Sequence, residues 1–140
     1  GLELMLRRVA GEGVDVVLRP SPGPCFVDSD PVQLEQVVLN LLQNALSFSP
    51  PGEPVKIRLL SESGQAMIEI LDRGPGIPEE MRDHLFEPFR SQRKGGTGLG
   101  LAIVMKIVSA HGGTVRGENR TPPPGARFIV TIPLVRCASA

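Results

Sequence analysis

Residues 94–104 read KGGTGLGLAIV: four glycines fall within six positions, then give way at once to an apolar run compatible with a helix. Glycine lets backbone N–H groups approach an anion closely, and the positive end of a following helix adds a favourable field. A plain helix-entry turn accounts for one glycine, whereas Gly95, Gly96, Gly98 and Gly100 together point to a phosphate-binding wall. No Lys-Ser or Lys-Thr pair follows them, which excludes a P-loop. The G-x-G-x-G spacing, preceded by a polar loop rather than a strand, also departs from the dinucleotide fingerprint.

Working outward, the helix after the glycines is expected from about Gly98 to His111, stopped by Gly112 and Gly113, with TVRGEN and ARFIVTIPL closing the chain as strands. Upstream lies the polar, glycine-rich RGPGIPEEMRDHLFEPFRSQRKGGTG, with one short helix around EEMRDHLF. Before that, VKIRLLSESGQAMIEILD reads as a hairpin about a Ser-Gly turn. Strand alternation sets Ile68, Ile70 and Asp72 on one face, so an acid ends a core-facing row.

Asp30, Pro31 and Gln33 carry a helix-start signal, and a helix to about Leu46 gathers Leu34, Val37, Val38, Leu41, Leu42 and Ala45 on one buried face. Gln36, Asn40 and Asn44 run along its flank. VDVVLRP and CFVDSD precede it as two short strands. The stretch LELMLRRVA breaks at GEG and reads as the end of a helix belonging to something upstream. The expected domain limits are therefore 1–12 for that helix or linker, 13–136 for the folded unit and 137–140 for a tail. Alternation leaves each strand one apolar side, so the natural solution is a two-layer α/β sandwich, a mixed sheet with helices on one face.

The chain has 140 residues, 41% of them hydrophobic and 21% charged, enough for one domain with a real core. Fifteen basic residues balance fifteen acidic ones, so there is no basic field for generic nucleic-acid or membrane binding. Cys25 and Cys137, far apart and without metal-type spacing, argue for a reducing compartment and against zinc or a disulfide scaffold. No apolar run approaches the roughly 20 residues of a membrane span, and no signal-peptide pattern is present, so a cytoplasmic domain is expected.

In DRGPGIP, residues 72–78, Asp72 can accept a hydrogen bond from an exocyclic amine while Gly74 and Gly76 admit a flat ring beside the backbone. An ordinary Asp-Gly turn has the same composition. Asn40 and Asn44 share a helical face, and an Asn carbonyl oxygen suits Mg²⁺, which takes its other oxygens from water and phosphates; a solvated polar flank reads alike.

NLLQNA, DRGPGIP, LFEPF and GGTGLGLAIV, in that order and followed by AHGG and GARFIVTIP, resemble the catalytic and ATP-binding domain of bacterial sensor histidine kinases. That family shares a superfamily with gyrase, Hsp90 and MutL, and the likeness spans roughly residues 28–135. It implies the Bergerat fold, with a mostly antiparallel sheet and about three helices on one face. It implies ATP and Mg²⁺ as ligands, with Asn44 on the metal and Asn40 supporting the same site. Asp72 would bind the adenine amino group, with Gly74, Gly76 and Ile77 lining the ring pocket and Phe48 against the ring. Phe86 and Phe89 would anchor a lid whose Gly96, Thr97, Gly98, Leu99, Gly100 and Leu101 wrap the phosphates, and Thr131 completes the implied contacts.

Two positions depart from the pattern. Many members carry Lys or Arg where this chain has Ser47, leaving Arg90, Arg93 or Lys94 to supply the charge. Many also place an aromatic residue between the second lid Phe and the Arg, whereas Arg90 follows Phe89 directly. Superfamily ATPases use a Glu at the position of Asn40 to activate water; an amide cannot take a proton, so poor hydrolysis is expected and transfer goes instead to a histidine. His84 and His111 lack a phosphoacceptor's neighbourhood and read as structural.

The likeness thus implies an enzyme of two-component signalling. It would phosphorylate a histidine on its own dimerisation domain, with a response regulator downstream. The fragment would be a monomer and the full protein a homodimer, which can be anchored in a membrane through other segments. A nucleotide-gated interaction module without useful transfer and a serine kinase of the anti-sigma type are the alternatives.

Overall fold

The computed structural model describes residues 2–11, 13–18, 25–27, 30–89 and 99–137. Asp30 starts the longest helix, α2 (Pro31–Phe48), as its sequence anticipates: Oδ1 accepts from the Val32 and Gln33 amides, and Pro31 fills the position where no N–H is needed. The helix runs two residues past Leu46, closed by the Ser49 amide donating to the Ala45 carbonyl. Helix α1 (Leu2–Val9) precedes strands β1 (Val14–Leu18) and β2 (Cys25–Val27). After α2 come β3 (Val55–Glu62), β4 (Gln65–Leu71), a 3₁₀ turn (Glu79–Met81), α3 (Gly100–Ala110), β5 (Thr114–Asn119) and β6 (Ala126–Cys137).

The strands form one sheet in the order β1-β3-β4-β6-β2, with β5 also paired to β6. Among the described strands only β1 and β3 run parallel; the other pairs are antiparallel. The sheet register sets Ile57 opposite Ile70 and Ile68 opposite Val130, so one side is a continuous apolar surface. On it sit Val37, Val38 and Leu41 of α2 and Val104 and Val108 of α3, all fully buried. Period-two strands and period-3.6 helices present complementary stripes, which yields the expected two-layer sandwich.

Helix α1 joins the same core through Leu2, Met5 and Leu6, and Arg8 donates to Glu35 of α2 at 2.9 Å. On the opposite sheet face Glu69 is buried, with Arg127 Nε 3.1 Å from its Oε2 and 3.2 Å from Glu118 Oε1. The Glu69 contact is an ion pair by distance and not an aligned hydrogen bond.

Two readings change, and the histidines gain named partners. EEMRDHLF forms the 3₁₀ turn and further turns, not a helix, bonded Met81 to Pro78, His84 to Met81 and Glu87 to His84. Between Pro78 and Pro88 the segment is too short to repay helix nucleation. Strand β6 continues to Cys137, and Cys25 and Cys137, remote in sequence, are register partners across β2 and β6. His84 contacts Glu87. His111 is structural in a specific way: its Nε2 accepts from the Asp30 amide at 3.2 Å and its Nδ1 lies 2.8 Å from the Ile107 carbonyl, tying the start of α2 to the end of α3.

Candidate nucleotide site

Asp72 is the first residue past β4, and the β4–β6 ladder continues through it: its amide donates to the Ala126 carbonyl at 3.0 Å. The side chain, 3% exposed, follows the same direction, with Oδ1 accepting from the amides of Ala126 (3.0 Å) and Gly74 (2.9 Å). Two N–H donors hold one carboxylate oxygen; Oδ2 has no protein partner among the described residues. Arg120 Nη1 donates to the Asp72 carbonyl at 3.0 Å. Burial, with Arg73 and Arg58 adding to it and Asp72 opposing, holds the Arg120 guanidinium below its ordinary pKa.

Asp72 borders a cavity of about 130 Å³. Helix α2 contributes Asn44 and Phe48, the loop after β4 contributes Pro75, Gly76, Ile77 and Pro78, and the next segment adds Met81 and Leu85. Leu101 of α3 and Ala126 and Phe128 of β6 close it. The lining is mostly apolar, and Phe86 braces it by packing edge-on against Phe128, ring centroids 6.4 Å apart. Asn44 is 7% exposed, and its side-chain amide has no protein partner among the described residues. Asn44 and Asp72 therefore present open hydrogen-bonding atoms to one mostly apolar space, where water or a ligand can complete them.

Of the residues the sequence singles out, Asn44, Phe48, Asp72, Gly76, Ile77 and Leu101 meet at this cavity. Asn40 does not line it. Its Oδ1 accepts from Gln36 Nε2 at 2.8 Å and its Nδ2 donates to the Gly100 carbonyl at 3.3 Å, fastening the first residue of α3 to α2. Leu99 caps α3 beside Gly100. Ser47 turns back on its own helix, donating to the Asn44 carbonyl at 2.9 Å. Phe89 is 75% exposed and outside the cavity. Arg90, Lys94, Gly96, Thr97 and Gly98 lie outside the described residues.

Two of the expected contacts lie outside this cavity. Thr131 does not border the cavity: it lies five residues beyond Ala126 on an extended strand, about 16 Å along it at the usual rise, and its hydroxyl pairs with that of Thr114. Gly74 is buried, and its lack of a side chain serves packing. A Cβ there would stand 2.5 Å from the Phe48 carbonyl oxygen, so the missing side chain lets the end of α2 close on the loop. Gly76, at φ +86°, does border the cavity. Sequence reasoning missed Asn119, whose Oδ1 accepts from the Ile77 amide at 2.6 Å and whose Nδ2 donates to the Ile77 carbonyl at 3.2 Å. No local signal marks it, since its partner is distant in sequence.

This geometry coincides with a family profile, described as histidine kinase-, DNA gyrase B-, and HSP90-like ATPase, that matches residues 29–136. The chain belongs to that ATPase family. Among relatives of this ATPase domain, a probable sensor histidine kinase of Mycobacterium tuberculosis, TcrY, is 39% identical over 132 residues, covering 90% of this chain and 27% of TcrY. The solved structure of the mycobacterial sensor histidine kinase MprB is 38% identical with a TM-score of 0.79, covering 98% of this chain and 91% of that one. Full-length ShkA in complex with AMPPNP is 31% identical with a TM-score of 0.74, covering 99% of this chain and 29% of that one. The chain spans about a quarter of the length of the curated relatives it matches. None of its described helices is long and apolar enough to cross a membrane.

Proposed function

We propose that this chain binds Mg-ATP and supplies the γ-phosphoryl group to a histidine on a separate dimerisation domain of a sensor kinase, with a response regulator acting downstream. The observation that carries the reading is the pair of buried polar side chains, Asp72 and Asn44, open toward one apolar cavity. Asp72 Oδ2 accepts from the exocyclic amine of adenine while backbone amides fix Oδ1. Phe48, Ile77 and Leu101 exclude water from the ring. The residues present fit one metal contact: Asn44 offers a neutral oxygen, and no cluster of His, Cys, Asp and Glu among the described residues competes for the ion.

When bound, Mg²⁺ neutralises phosphate charge and leaves the protein chiefly a positioning task. Asn40 serves that task by tying α2 to the start of α3. An amide so engaged takes no proton from water, which favours transfer over hydrolysis. The test is transfer of label from γ-labelled ATP to a histidine when a phosphoacceptor domain is added in trans.

A second reading, a nucleotide-gated interaction module, draws support from Ser47, whose hydroxyl donates to its own helix. Bound ATP without labelled histidine selects it. A melting temperature unmoved by Mg-ATP rejects both, because a ligand specific for the folded state at 100 times its Kd stabilises it by about 2.7 kcal/mol.

A further inference from the structure

Asn119 lies outside every motif of the proposed site, yet the loop that carries that site is held from it. Asn119 and Ala126 are directly opposed across β5 and β6. Ala126 takes hold of Asp72 with its N–H and C=O, and Asn119 takes hold of Ile77 with its side-chain acceptor and donor. One cross-strand pair therefore pins both ends of the loop 72–77. Gly76 fits the same arrangement: a Cβ there would stand 2.7 Å from Asn119 Oδ1.

We infer that Asn119 is a positioning residue that sets purine specificity: it fixes Ile77 and the cavity wall relative to the Asp72 carboxylate, so that only a ring with a correctly placed amine satisfies Oδ2. This rests on the reading of Asp72 as the adenine acceptor. Ile77 is free to pack against a ring because its own N–H and C=O are already satisfied by a single amide. Without Asn119 both groups turn to water, and the distance between the apolar wall and the carboxylate is no longer fixed. Recognition by a site whose buried polar group must be matched is then lost faster than apolar binding.

The experiment compares Mg-ATP with Mg-inosine triphosphate, which lacks the amine, by calorimetric titration of the parent chain, Asn119→Ala and Asn119→Asp. Loss of two hydrogen bonds is expected to weaken ATP binding about tenfold in Asn119→Ala. Inosine triphosphate binding changes much less, so the preference for ATP contracts. Asn119→Asp keeps the acceptor for the Ile77 amide and restores part of the preference, which a purely structural role would not predict.

Amide exchange supplies a readout independent of nucleotide. The Ile77 amide exchanges faster in Asn119→Ala while the Gly74 amide, held by Asp72, does not. A parent-like preference for ATP in Asn119→Ala, or unaltered exchange at Ile77, overturns the inference. A parent chain that binds both nucleotides equally overturns the site reading and the inference with it, a result distinguishable because it needs no variant.

Discussion

Asp72 and Ala126 hold each other by two hydrogen bonds of 3.0 Å, one between the Asp72 amide and the Ala126 carbonyl and one between the Ala126 amide and Asp72 Oδ1. The carboxylate is thereby an extension of the sheet. It borders the cavity with its orientation already fixed by the sheet, so little rotational freedom is left to lose if a donor pairs with it.

Asp72→Asn keeps an oxygen for the amides of Gly74 and Ala126 but turns an NH₂ group toward the incoming amine. Two donors then face each other in an apolar space. Mg-ATP affinity is expected to fall about 100-fold or more with little change in melting temperature. Calorimetry that finds parent-like affinity removes Asp72 from the site.

Asn44→Ala removes the neutral oxygen proposed for Mg²⁺. ATP affinity measured with Mg²⁺ drops about tenfold, whereas affinity measured with a chelator present barely moves. Equal losses under both conditions would show that Asn44 acts on the base and not on the metal.

Gly74→Ala distinguishes packing from ring binding. With a Cβ 2.5 Å from the Phe48 carbonyl oxygen, the variant must part the loop from α2, at a cost of about 1–3 kcal/mol in the absence of any nucleotide. A nucleotide-free melting curve identical to the parent's refutes the packing role.

His111→Ala cuts the tie between the Asp30 amide and the Ile107 carbonyl. Unfolding free energy in urea should fall by about 1–2 kcal/mol, with ATP affinity retained. Lost affinity at unchanged stability would instead place the histidine in function.

Leu6→Ala tests whether α1 is integral to this fold. Leu6 is fully buried, and truncating such a side chain costs about 2–5 kcal/mol. A change below half a kilocalorie would mean that α1 rests on the domain without stabilising it.

Much was legible along the chain because its causes are local. Asp30 and Pro31 cap α2, Ser63 and Gly64 turn the β3–β4 hairpin, and alternation aligned Asp72 with Ile68 and Ile70. Each depends on contacts within a few residues, so spacing predicts it. The ordered motifs also located Asn44, Phe48, Ile77 and Leu101, four residues from three segments that share one cavity.

What only the tertiary structure decided is which partner each of these residues meets. Ser47 and Asn40 bond back to helices, Gly74 makes room for Phe48, Thr131 lies well along the strand from the cavity, and Asn119 clamps Ile77 from the neighbouring hairpin. Periodicity fixes the direction in which a side chain leaves its own element. It carries no information about the element on the other side, because packing brings together residues remote in sequence, and here that packing places the carboxylate, the amide and the apolar wall around one space.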